Sequence, residues 1–287
     1  MTEELYGDSN LKQGDKDLPE NGPNKKAKSK GYVKELQNDL KILGIYFSKI
    51  DGNFGAKTKQ AVETFQWNAK KIKKRIKNNS IVNDPPVYTE SITGIVNPTT
   101  KKEIARWLEK SFKATGDLVR VNESQFSNIE IGSAFKKIKH LHINDGEIVI
   151  SGEIIKYLKY ADSKAKALSL NIVINQAMRV NGQKVTGAVV PPAKKSQHLI
   201  GHAIDCNIVD GDIWNNSQIF ANGKETENAK KFIAAMKKEG LRWGGDFTNS
   251  DTPHFDKQII SVIDYKYKYF FNQRMISENQ KIPLTTW

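Results

Sequence analysis

The feature of this sequence that most constrains its fold is the segment Ser196–Asp205, where His198 and Asp205 stand seven positions apart. Side chains of a strand alternate between its two faces, so a histidine and an aspartate at this spacing would face opposite sides of a continuous strand. Gly201 lies between them and can bend the backbone, because glycine tolerates conformations that other residues avoid. With that bend, His198 and Asp205 converge on one point.

A second polar segment, Asp251–Asp256, supplies His254 and further carboxylates. Three protein ligands with one open position are typical of a hydrolytic zinc site. The chain has one cysteine, Cys206, which excludes an intramolecular disulfide framework and a cysteine-rich zinc finger. A metal in this protein must therefore use histidine and carboxylate ligands.

Composition narrows the class of protein. With 287 residues, 38% hydrophobic and 27% charged, the chain has the makeup of a globular protein with room for two domains. Its net charge of +13 favours polyanionic surroundings: nucleic acid, anionic lipid or a phosphate-bearing cell wall. The N-terminus has neither a basic start nor an apolar core, and no stretch of 18 apolar residues occurs. We expect synthesis in the cytoplasm without a signal peptide, and no membrane span.

The first part of the chain is predicted to be helical. Residues 1–30 hold six acidic residues and six lysines among glycine, asparagine and proline, and this composition predicts a flexible leader. In residues 31–111, apolar residues at helical spacing predict three helices, the third beginning near Thr99 or Thr100. A basic insertion at 69–92 separates the last two helices. Six of its first nine residues, 69–77, are basic, and we interpret them as a solvated helix face.

The second part predicts an α+β domain with a small antiparallel sheet and flanking helices. Residues 112–145 are assigned as a linker and the start of this domain, and residues 146–264 as its body. Ser151 is the expected N-cap of a helix, Asn171–Asn175 a buried strand, and a half-buried strand follows with Ile204, Cys206 and Ile208 inward. The tail, residues 265–287, is aromatic and basic, and its role stays open.

The second part also resembles a known family over roughly residues 150–257. The ordered motifs are Ser-x-His-x-x-Gly-x-Ala-x-Asp from Ser196, then Trp243-Gly-Gly-Asp-Phe, then an acid-x-x-His motif from Asp251. They are similar to those of the zinc D-alanyl-D-alanine carboxypeptidases, the vancomycin-resistance D,D-dipeptidases and the phage L-alanyl-D-glutamate endopeptidases. The fold implied is that of a zinc peptidase.

This resemblance assigns roles to individual residues. It makes His198, Asp205 and His254 the ligands of Zn²⁺ and Asp251 the general base. Arg179 falls where the family keeps an arginine that faces the substrate carbonyl. Two residues are candidate substrate contacts, Ser196 ahead of the first ligand and Trp243, although Trp243 is more simply a core or pocket-wall residue.

The helical part resembles the three-helix peptidoglycan-binding domain found beside cell-wall hydrolases. The matching residues run from Val33-x-x-Leu36-Gln37 through Asp51-Gly52-x-Phe54-Gly55 to Ala61-Val62-x-x-Phe65-Gln66. The basic insertion departs from that pattern, which normally has a short loop before the third helix. This resemblance implies bacterial peptidoglycan as the partner.

Together the resemblances predict a zinc-dependent peptidoglycan peptidase that cleaves stem peptides. Aspartate at the acid-x-x-His position and the Trp-Gly-Gly-Asp-Phe motif favour cleavage of the L-alanyl-D-glutamate bond, with a D,D-carboxypeptidase as the alternative. A non-catalytic zinc-stabilised binding module or injection-apparatus component is the alternative from another class. Anionic wall polymers are further candidate partners, whereas nucleic acid is not expected. Without a signal peptide, the protein would reach the wall or periplasm by holin-dependent release or a contractile injection apparatus.

Other polar residues have simpler interpretations. His140 and His142 are interpreted as structural histidines. His202 is interpreted as a neighbour of the site or a surface residue rather than a ligand, and Asp256 as a support for the site. Cys206, facing the core, is interpreted as a buried, inert thiol.

Overall fold

The computed structural model describes residues 5–17, 31–135, 137, 138, 143–182 and 195–285. The chain divides into two units, Met1–Gly116 and Asp117–Trp287. His140 and His142 lie outside the described residues, so their interpretation stays a prediction. Within the described ranges, no helix combines the length and apolar character needed to cross a membrane.

In its described residues, the first unit is built on three helices and a hairpin. Their bounds are α1 Tyr32–Ile42, α2 Ala56–Lys71, β1 Lys74–Lys77, β2 Ser80–Asn83 and α3 Pro98–Glu109. The helices bury apolar residues against each other, and the rings of Phe65 and Trp107 meet edge to face at 5.0 Å. The third helix begins slightly earlier than predicted, because Asn97 accepts a hydrogen bond from Thr100 N as its N-cap and Pro98 follows at the first helical position.

Residues 5–17 differ from the predicted flexible leader. Tyr6 is buried and donates a hydrogen bond to Asp39, and the Leu11 backbone pairs with Val96. The Asp17 carboxylate accepts hydrogen bonds from the amides of residues 33 and 34, at the start of α1, where the preceding Gly31 offers no side chain. The prediction was wrong for this stretch because a few anchoring residues outweigh a polar composition.

The start of the basic insertion is also not a solvated helix face. The helix α2 ends at Lys71, and β1 and β2 form an antiparallel hairpin whose turn residues Asn78 and Asn79 adopt left-handed conformations. Arg75 is fully buried, with its guanidinium 4.1 Å from the centre of the Trp107 ring and 3.2 Å from a carboxylate oxygen of Asp84. The hairpin is therefore fastened to the helices by an arginine that composition alone assigns to the surface.

The second unit is an α+β domain, as predicted. Its elements are β3 Leu118–Asn122, β4 Ile129–Ile131, β5 Glu147–Ser151, α4 Ile155–Ala167, β6 Leu170–Gln176, β7 Ala203–Asp210, β8 Ile213–Asn215, α5 Ser217–Ala221, α6 Glu227–Lys238, β9 Arg242–Trp243, β10 His254–Asp256 and α7 Val262–Ser277. Strand β3 already lies in this unit, within the range assigned as linker. Ser151 caps a short 3-10 turn, Gly152–Ile154, that leads into α4.

Among the described residues, the main sheet has the strand order β4-β6-β7-β10-β9, and β8 pairs with β7. It differs from the expected antiparallel sheet at one edge, because β4 runs parallel to β6. Ile204, Cys206 and Ile208 of β7 are buried with α4 and α6 in the hydrophobic core. The opposite face of β7 is thus free to carry polar side chains.

Candidate active site

The bend predicted at Gly201 places the first histidine of the site. His198 lies in a 3-10 turn, Gln197–Ile200, and Gly201 follows with φ 73° before β7 begins. This position requires glycine for two reasons: its backbone is left-handed, and a Cβ there would come within 2.6 Å of the Ser151 backbone nitrogen. The turn brings His198 back toward Asp205 on β7.

The third residue arrives through strand pairing. Strand β10 runs antiparallel to β7 with His254 directly opposite Asp205. Residues opposite each other in a ladder project from the same face of the sheet. Two elements distant in sequence thus present a carboxylate and an imidazole side by side.

His198, Asp205 and His254 are the group that the described residues offer for a metal ion. His198 Nε2 and His254 Nδ1 each lie 3.0 Å from Asp205 Oδ1, and the two nitrogens are 3.1 Å apart. Zinc with ligand bonds of about 2.0–2.1 Å in tetrahedral geometry separates its ligand atoms by about 3.3 Å. The triangle of donor atoms therefore fits a zinc ion with little adjustment.

The other nitrogen of each histidine is held by a hydrogen bond. His198 Nδ1 donates to the Ala177 carbonyl at 2.6 Å, and His254 Nε2 donates to Asp256 at 2.9 Å. Arg242 in turn donates two hydrogen bonds to the carboxylate of Asp256. These partners fix the neutral tautomers, so that once His254 gives up its second proton both remaining nitrogens direct lone pairs inward, as metal-binding histidines require.

The electrostatics of the three residues agree with this arrangement. Burial alone would raise the pKa of Asp205, but the charges and hydrogen bonds of His198 and His254 hold it well below its usual range. Burial lowers the pKa of His254, while hydrogen bonds to Asp205 and Asp256 outweigh it and raise that pKa to about 9. The site is thus built to hold positive charge beside an ionised carboxylate.

Asp251 and Arg179 lie beside this group without belonging to it. Burial raises the pKa of the half-buried Asp251, and the negative charge of Asp205 raises it further, whereas His254, His198 and Arg179 act in the opposite direction. Arg179 is buried, which lowers its pKa, while Asp205 and Asp251 oppose that shift. Asp251 and Arg179 therefore lie within electrostatic reach of Asp205 and of each other.

The two candidate substrate contacts occupy different positions. Ser196 precedes the 3-10 turn, and its carbonyl accepts a hydrogen bond from Tyr265 at 2.9 Å. The Trp243 indole donates to the Thr252 carbonyl and packs edge to face on Phe220. A Cβ at Gly245 would strike the Trp243 ring, so the ring is closely covered on that side. The packing favours a pocket-wall role for Trp243.

His202 and Cys206 lie outside the group of donor atoms. His202 is buried, with Nδ1 3.1 Å from the Lys257 carbonyl and Nε2 3.5 Å from Glu153. It is therefore a buried residue and not part of the surface. Burial raises the pKa of the Cys206 thiol well above its ordinary value, so the thiol stays protonated and inert.

Sequence reasoning missed several residues that support the site. Arg242 directly precedes the Trp-Gly-Gly motif, and its position opposite Asp256 follows from pairing of β9 with β10. Phe247, in the same motif, packs against the His254 ring with centroids 5.8 Å apart. A cation next to that motif and an acid two residues after His254 were available signals, but their pairing depends on strand register.

Comparison with known families agrees with both resemblances. Residues 191–257 match a family model described as D-alanyl-D-alanine carboxypeptidase, and residues 29–70 match one described as a peptidoglycan binding domain. The first match contains His198, Asp205, Asp251 and His254, whereas Arg179 lies outside it. The second covers α1 and nearly all of α2. The matches confirm the predicted resemblances and support a cell-wall peptidase.

Proposed function

We propose that this chain is a zinc-dependent peptidoglycan peptidase that cleaves stem peptides, with His198, Asp205 and His254 as the zinc ligands. The observation that carries the proposal is the triangle of donor atoms, 3.0–3.1 Å on each side, with both outer histidine nitrogens occupied. Zinc bound there supplies Lewis-acid chemistry, polarising a carbonyl and lowering the pKa of water. The remaining steps belong to the chain's own residues.

Asp251 is the general base in this proposal. Its carboxylate lies within electrostatic reach of Asp205 and Arg179, and it holds no place among the three ligands. A carboxylate oxygen of Asp251 accepts a proton from the attacking water and returns it to the leaving amine. Partial burial keeps the carboxylate from being fully solvated, which makes it a stronger base than an exposed aspartate.

Arg179 stabilises negative charge on the carbonyl oxygen of the substrate. The backbone amide of Arg179 donates to the His198 carbonyl at 3.0 Å, so the backbone that carries this cation is held by the turn that carries a ligand. A fixed cation stabilises an oxyanion without reorganising during the reaction. The intact Asp251 and Arg179 favour an enzyme over a non-catalytic zinc-stabilised module.

Two cleavage specificities are in question. The aspartate of the acid-x-x-His motif and the Trp-Gly-Gly-Asp-Phe motif support the L-alanyl-D-glutamate bond. The description of the matched family favours D,D-carboxypeptidase activity instead. The first unit, with its peptidoglycan-binding match, supports a polymeric wall substrate for either activity.

Digestion of purified peptidoglycan, with and without a zinc chelator, tests the proposal. Mass spectrometry of the products separates the two specificities, since an endopeptidase releases peptides that begin at D-glutamate and a carboxypeptidase releases free D-alanine. We expect products that vanish with chelator and return with added Zn²⁺. An absence of products from the zinc-loaded wild-type protein would overturn the proposal.

A further inference from the structure

The helix α7 lies beyond both family matches, in the part of the chain whose role the sequence left open. Its inward face is unusually polar, because Lys268 and Asn272 are buried there together with Tyr265. These residues recur at spacings of three and four, which places them on one side of the helix. Buried polar groups need partners, so what they contact indicates what the helix does.

The partners on one side are backbone carbonyls of the turn that carries His198. Tyr265 donates to the Ser196 carbonyl at 2.9 Å, Gln273 to the Leu199 carbonyl at 2.6 Å, and Asn272 to the Ile200 carbonyl at 3.0 Å. A short 3-10 turn satisfies few of its own carbonyls. The helix α7 therefore supplies donors to carbonyls on both sides of a proposed zinc ligand.

Gln273 also holds the segment that carries Arg179. Its side-chain nitrogen donates to the Arg179 carbonyl at 2.9 Å as well as to Leu199, and its oxygen accepts from the Asn181 amide at 2.9 Å. Both amide hydrogens of this glutamine are thus used. One side chain thus ties the backbone of Arg179 and that of Leu199, the residue after His198, to the same point of α7.

The polar face of α7 is also anchored beside β3. Asp117, next to β3, accepts hydrogen bonds from Lys268 at 2.6 Å and from Asn272 at 2.8 Å. Burial raises the pKa of Asp117, but the charge and hydrogen bond of Lys268 together with the hydrogen bond from Ser151 outweigh it and lower that pKa to about 2. A buried ion pair with satisfied hydrogen bonds fixes α7 in place, so its contacts with the turn are held rigidly.

We infer that α7 is a positioning helix for the active site and that Gln273 is a positioning residue that fixes Arg179 relative to His198. The part of this inference that concerns zinc affinity rests on the proposed function. The part that concerns the backbone is tested by hydrogen exchange in metal-free protein and does not depend on zinc. Groups that orient metal ligands typically contribute about 10- to 100-fold in metal affinity or activity. Gln273 acts on the backbone behind a ligand and behind a catalytic cation together.

The test compares Gln273→Met with Gln218→Met in the full-length protein. The first substitution keeps side-chain length and adds no charge but removes three hydrogen bonds, and the second makes the same change at an exposed position of α5. In metal-free protein, hydrogen exchange of the Arg179 and Gly201 amides, which both donate to the His198 carbonyl, should become at least about 10-fold faster only in Gln273→Met.

Competition with a chromophoric chelator should show zinc affinity weakened about 10- to 100-fold in Gln273→Met and unchanged in Gln218→Met. The visible spectrum of the Co²⁺ form should change as well, which a loss of global stability alone would not produce. Tyr265→Phe removes one hydroxyl and should weaken zinc binding in the same direction by less. It decides the matter if Gln273→Met does not fold.

The outcomes separate the two proposals. Unchanged exchange, zinc affinity and Co²⁺ spectrum in Gln273→Met and Tyr265→Phe would overturn the positioning role of α7. If the wild-type protein binds no zinc yet exchange accelerates in Gln273→Met, the positioning role stands and the zinc assignment fails.

Discussion

His202 should make the stability of the second unit fall as the solution is acidified below neutrality. Burial, followed by the charge of Lys268, lowers the pKa of His202 from 6.5 to about 4, and the opposing effects of Asp117 and Glu153 are smaller. As the pH falls through 6.5, the unfolded chain binds a proton at this site and the folded protein does not. The stability that neutral His202 contributes to the second unit is therefore present above pH 6.5 and is lost progressively as the pH falls below it.

The magnitude follows from the size of the shift. Between pH 6.5 and pH 5 the unfolded state binds one more proton than the folded state, so the free energy of unfolding falls by about 1.36 kcal/mol per pH unit. Over about 1.5 pH units the loss is about 2 kcal/mol. For a unit of this size the melting temperature should drop by about 4–8 °C. His202→Gln keeps a polar group beside the Lys257 carbonyl without titrating, so its stability should lack this component.

The assay is calorimetric unfolding of the full-length wild-type protein and His202→Gln, both in chelator, at pH 7 and pH 5. The free energy of unfolding of the second unit should decline by about 2 kcal/mol more in the wild type than in the variant. Parallel pH profiles would refute the reasoning. They would mean that water or a rearranged Glu153 solvates the imidazole.

Two further predictions concern catalysis and retention. Asp251→Asn should keep zinc but lose about 10²- to 10⁴-fold in turnover, because a positioned base is lost. The control, Asp212→Asn at an exposed turn, should match the wild type. Turnover near wild type in both variants would assign the base to another residue. A chain shortened to residues 113–287 should cleave soluble muropeptides yet sediment less with intact sacculi, since linked sites raise effective concentration. Retention of the full chain should weaken with salt and in Lys73→Gln/Lys77→Gln, because these exposed cations of the insertion are screened over about 10 Å at 0.1 M salt. Equal sedimentation of the full and shortened chains would contradict a wall-binding role for the first unit.

Local patterns in the sequence predicted the parts of the fold that depend on local chemistry. The apolar spacing of α1 and α2 and the alternation along β7 follow directly from which side chains must be buried. The bend at Gly201 was also foreseeable, because His198 and Asp205 could converge only if a glycine turned the chain. That His254 joins those two residues could be predicted only from the order of the motifs, because its position depends on the register between β7 and β10.

Features that depend on distant partners were not predicted. Asp17 looks like one more charge in a polar leader, yet it accepts hydrogen bonds at the start of α1. Arg75 lies in a basic run, and its burial depends on Trp107 and Asp84 being folded beside it. The polar face of α7 gives no apolar periodicity, because its partners are the backbone carbonyls of a turn far away in sequence.

The zinc content of the purified protein tests the central claim most directly. Metal analysis compares the wild type with His198→Ala and His202→Gln. The wild type and His202→Gln should each hold about one zinc per chain, because His198 belongs to the three-donor site and His202 does not. His198→Ala should lose that zinc. Equal zinc in the wild type and His198→Ala, or none in the wild type after loading, would contradict the assignment of His198, Asp205 and His254 as the metal site.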